Sequence, residues 1–84
     1  MTYEIARNAV FDSVEALMES AKVSVPEFAR MVGVSNVGAY AWKHKKNMPS
    51  RKSEQRIVER FRRELPVETT RFETAIAAVK ELNR

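Results

Sequence analysis

Cysteine is absent from these 84 residues, glycine occurs twice and proline three times. Without thiols there are no disulfide staples and no thiolate zinc ligands. So few Gly and Pro residues leave little turn chemistry for a many-stranded β fold and favour helices. A single histidine, no Gly-rich phosphate loop and no isolated carboxylate pair give no material for a catalytic or metal centre. No enzyme activity, cofactor or small-molecule ligand is therefore expected. No apolar run approaches the roughly 20 residues that cross a bilayer. The start, Met1 to Ala9, lacks the basic and apolar stretches of a signal peptide. A cytoplasmic protein without a membrane partner is the expectation.

What is present is ordinary for a folded chain, with 44% hydrophobic and 31% charged residues. The length suffices for one modest core. The net charge of +4 is unevenly spread. Between Lys43 and Arg63, nine cations stand against Glu54 and Glu59, giving +7 and leaving −3 for the remainder. A basic half beside an acidic half suits an oriented encounter with a polyanion.

Turn signals divide the chain into about five helices, an all-α fold. The first spans roughly Tyr3 to Ala21, where Val10, Val14, Leu17 and Ala21 recur at helical spacing. Ser24-Val25-Pro26-Glu27 reads as a capping box opening a second helix, which Gly33 ends. Ser35 caps a third helix running to about His44, with Gly38 inside it. That glycine implies close approach of the first helix or of another backbone. Lys45 to Pro49 reads as a loop. A fourth helix, capped by Ser50 or Ser53, carries Ile57, Phe61 and Leu65 on one stripe. Lys52, Arg56, Arg60 and Arg63 fall on another, and Pro66 closes the helix. Thr70-Arg71-Phe72-Glu73 reads as a second capping box, opening a fifth helix with a face of Phe72, Ala75, Ile76, Val79 and Leu82.

The stretch from Val25 to Trp42 carries the functional signal. Small Ala29 suits a close helix crossing, and Gly33 a turn requiring positive φ. Val34 plugs the core after the turn, Ser35 caps, and Ala39 and Trp42 point inward. In these features, and in the loop and Met48-Pro49 that follow Trp42-Lys43, the chain resembles helix-turn-helix regulators of the Cro and lambda-repressor type, from phages and plasmids. The resemblance covers about Val10 to Leu65. Two positions depart from it. Val25 stands where the family often has a phosphate-gripping Gln, and Ala39 and Trp42 replace the usual branched aliphatics.

The resemblance implies that the third helix enters the DNA major groove. Ser35, Asn36, Val37, Tyr40 and His44 would then face the bases. Asn36 suits an adenine edge and Val37 a thymine methyl. Ser24, Lys43, Lys45, Lys46 and Arg51 would contact phosphates, which orient without reading sequence. Residues 1–66 are accordingly expected to form the DNA-binding domain. Residues 67–84 would form a dimerisation helix that pairs through Phe72, Ala75, Ile76, Val79 and Leu82. The implied function is a transcriptional regulator, a repressor bound as a homodimer to a palindromic operator. Two alternatives stay open: an antitoxin or interaction module with a protein partner, and an architectural or excision factor that bends DNA.

Overall fold

The computed structural model describes residues 2–83, which form α1 (Tyr3–Ala21), α2 (Val25–Val32), α3 (Asn36–Lys43), α4 (Arg51–Phe61) and α5 (Pro66–Leu82). No strand occurs among these residues, so the fold class is all-α. Local chemistry sets most helix ends. The Thr2 hydroxyl accepts from the Ile5 amide at 3.2 Å, supplying one partner that the first helical turn lacks. Ser24, Ser35 and Ser50 do the same for α2, α3 and α4. At α2 the capping box is complete, since the Glu27 carboxylate also accepts from the Ser24 amide at 3.1 Å. Lys22 and Gly33 end α1 and α2 in the left-handed conformation, at φ 58° and 79°.

The beginning of α5 lies upstream of the Thr70 capping box. Pro66 occupies the first turn of α5, and α4 ends earlier, at Phe61. Proline suits a first helical turn because an amide there has no intrahelical partner. Thr70 is thus inside the helix, and no side chain caps α5. Leu65 is not on the α4 stripe. It sits in the connection and packs half-buried against the core.

One hydrophobic core draws on all five helices. Phe28 is its hub, stacked on Phe61 with centroids 5.5 Å apart and meeting Trp42 edge-on at 6.5 Å. That trio ties α2, α3 and α4 together. On the other side α1 and α5 form the most extensive helix pair. Ala6, Val10, Val14 and Leu17 from α1 are sealed there, with Phe72, Ala75, Ile76 and Val79 from α5.

This packing overturns the expected dimer interface. Phe72, Ala75, Ile76 and Val79 are already buried within their own chain, and only Leu82 of that face is exposed. An apolar stripe on a helix must be covered, and α1 covers this one. It also removes the expected boundary at residue 66, because α5 is a wall of the same core. No helix among the described residues is long and apolar enough to cross a membrane.

Candidate nucleic-acid interface

Helix α3 divides sharply into two faces. Ala39 is fully buried and Trp42 nearly so, which anchors the inner face beneath α2 and α1. Ser35, Asn36, Val37, Tyr40, Lys43 and His44 are exposed. Val37 is 81% exposed, an apolar side chain with no cover. The Tyr40 and His44 rings stack 6.2 Å apart, separated by one helical turn. All five expected base-facing positions are therefore exposed. Ser35 is partly committed, because its hydroxyl accepts from the Gly38 amide at 3.1 Å. Helix α3 carries no acidic residue.

Gly38 does not serve close packing with α1. A methyl group there would meet only the Ser35 hydroxyl, at 3.4 Å, so no other protein backbone approaches within 4 Å.

The segment after α3 is held down although it lacks regular structure. The Lys45 and Lys46 amides donate to the carbonyls of Trp42 and Ala41. From α1, Arg7 donates through Nη2 to the carbonyls of Lys45 at 3.4 Å and Lys46 at 3.1 Å. The Arg7 guanidinium itself lies over the Phe11 ring, 4.9 Å from its centroid. Lys45 is left-handed at φ 59° and its ammonium sits 4.0 Å from Asp12. Among the described residues, Lys43, Lys46 and Lys52 have no carboxylate within 4.0 Å. Lys43 ends α3 and Lys46 follows it in the loop, while Lys52 stands on α4.

Two expected phosphate ligands fit less well. Ser24 is consumed by the capping box, and the Glu27 carboxylate lies at the α2 N-terminus with it. Hydrogen bonds from the Ser24 amide and then its hydroxyl hold Glu27 below the usual carboxylate pKa, so it stays anionic. Glu15 and Glu19 line the same groove, which Lys22, Tyr40 and Lys43 complete. Phosphate approaching Ser24 would thus meet carboxylates. Arg51, the first residue of α4, lines the groove between α4 and α5 instead.

The basic stripe on α4 is also partly spent. Arg56 Nη1 donates to the Gly33 carbonyl at 2.6 Å. Arg60 Nη1 donates to both carboxylate oxygens of Glu64, at 3.0 and 2.8 Å. Arg62 pairs with Glu73. Sequence reasoning missed the structural roles of Arg7 and Arg56, whose partners lie 38, 39 and 23 residues away. No local pattern signals such contacts. Among the described residues, no group of three His, Cys, Asp or Glu side chains could hold a metal ion. No family model matches this chain, and neither a curated protein nor a solved structure matches it.

Proposed function

We propose that this chain binds double-stranded DNA sequence-specifically, with α3 in the major groove and cations beside its C-terminal end on the phosphates. One observation carries the reading: the inner face of α3 is locked in the core while its outer face stands open, bears no acidic residue of its own and is flanked by the unpaired Lys43 and Lys46. A helix about 10–12 Å across matches a major groove about 12 Å wide. Asn36 offers the paired donor and acceptor that an adenine edge requires, and Val37 an apolar contact for a thymine methyl. Lys43, Lys46 and Lys45 supply sequence-independent affinity. Occupying a promoter suffices to repress it, so the regulatory role is repression by exclusion.

Selection from a random pool of duplexes tests this directly. One enriched motif, bound more tightly than random DNA and ever more weakly as salt rises, is the expected result. A chain that retains no duplex at low salt overturns the reading. Equal affinity for every sequence overturns its base-reading half.

A further inference from the structure

Ala39 and Trp42 fix the orientation of α3, since both are buried in the core. At about 100° of turn per residue, Val37 then stands within roughly 10° of the line directly opposite that pair. Tyr40 and Ala41 flank it at about 50° on either side, while Asn36 and Lys43 sit on one shoulder, about 90° or more away. The centre of the outer face is therefore apolar. Val37 is 81% exposed, and as a β-branched residue it is stiff. Tyr40 is 42% exposed, and its ring lies nearly parallel to that of His44, at 11°. A lone exposed valine is ordinary on a protein surface. This one occupies the middle of a helix that carries neither an acidic residue nor an arginine. Guanine edges are read by Arg or Lys and cytosine edges by Asp or Glu, and the centre of the face has none of these.

We propose that the centre of this face reads the 5-methyl groups of pyrimidines, so that thymine is recognised there by its methyl group and a 5-methylated cytosine substitutes for it. The inference rests on the proposed DNA binding and names what the bound site must carry. In the major groove that methyl group is the apolar feature of a base-pair edge. Covering such methyls with Val37 and the Tyr40 ring removes apolar surface from water, a gain of about fourfold in affinity per methyl. Little is lost on ordering, because the helix is anchored, valine is stiff and the Tyr40 ring already rests on His44. Val37 and Ala41 have no hydrogen-bonding side chain, so they do not distinguish the carbonyl of thymine from the amino group of cytosine. Lys43 and Lys46 supply the attraction to phosphate that a methyl contact lacks.

Duplexes of the selected motif in which uracil replaces thymine test this, because uracil lacks only the methyl group. Affinity of the full chain should fall about fourfold for each methyl removed beneath α3. Cytosine at such a position should bind weakly, and 5-methylcytosine should regain about fourfold over cytosine. Val37→Ala, a change at an exposed site, should keep the fold and lose most of the preference for thymine over uracil. Tyr40→Ala should diminish the same preference. Equal binding of the thymine and uracil duplexes overturns the proposal and leaves DNA binding standing. So does a preference untouched by both substitutions, a 5-methylcytosine duplex no better than its cytosine counterpart, or a selected motif without thymine. A chain that retains no duplex overturns the DNA-binding reading and this inference with it.

Discussion

Arg56 on α4 donates to the carbonyl of Gly33, the residue that ends α2, at 2.6 Å. Gly33 is left-handed at φ 79°, and its own amide donates back to Ala29 at 2.8 Å. One guanidinium therefore ties α4 to the turn between α2 and α3. Replacing Arg56 with Leu keeps the aliphatic packing and removes the bond. The expected loss is about 1 kcal/mol, below the roughly 1.5–3 kcal/mol of a charged hydrogen bond because the site is exposed. Urea unfolding checks it, and an unchanged midpoint would show the bond to be energetically idle. Gly33→Ala should cost a similar amount through backbone strain at positive φ, since a methyl group there would meet only Arg56 Nη1, at an unstrained 3.8 Å.

The proposed base reading by α3 makes a sharper demand on Asn36. Its side chain is exposed and caps nothing, so Asn36→Ala should leave stability almost unchanged. On the selected site, affinity should fall by about 1–3 kcal/mol, with little change on random duplex. Equal weakening on both would assign Asn36 to the solvent instead of a base.

The two loop lysines differ, and the difference is measurable. Lys46 has no carboxylate in reach, whereas Lys45 lies 4.0 Å from Asp12. If Lys46 holds a phosphate, Lys46→Ala should reduce the salt slope of log K by about 0.9. Lys45→Ala should change it less, because part of that charge is already answered. Arg7 acts differently again. It holds the loop by its backbone, so Arg7→Ala should weaken binding while leaving the slope near wild type. Hydrogen exchange at the Lys45 and Lys46 amides should quicken in that variant. A slope reduced as far as in Lys46→Ala would make Arg7 a phosphate contact itself.

How far the sequence could be read depended on the range of the interaction. Ser24, Ser35 and Ser50 were legible as caps because a cap is settled within three residues. The inward placement of Ala39 and Trp42 followed from helical periodicity. The same periodicity marked Phe72, Ala75, Ile76 and Val79 as buried, but could not say by what. Helix α1 of the same chain supplied the cover that a second copy had been expected to give. Pro66 misled because proline punctuates both ways, ending one helix and opening the next. A charge stripe is equally ambiguous. Lys52, Arg56, Arg60 and Arg63 share a helical stripe by spacing, yet Arg56 and Arg60 are already bound to Gly33 and Glu64.

At the α2 N-terminus, stability and the proposed DNA binding make opposite demands on Glu27. Its carboxylate completes the capping box, and its pKa is lowered from the ordinary 4.5 chiefly by the Ser24 amide. A depressed folded-state pKa means the charged form is favoured by folding. The contribution is therefore fully present above the unfolded value and is lost as pH falls through the folded one. Glu27→Gln should lower Tm at pH 7, and the gap to wild type should close as the solution is acidified below about 4.5. A gap independent of pH would mean that the carboxylate charge adds nothing to the cap. The same substitution removes an anion from the edge where Glu15 and Glu19 also stand. Under the proposed binding mode, DNA affinity at neutral pH and low salt should therefore rise even as the fold weakens. Glu19→Gln, which breaks no cap, should raise affinity without the stability loss. Both measurements are needed, because unchanged DNA binding in Glu19→Gln would place that edge away from the phosphates altogether.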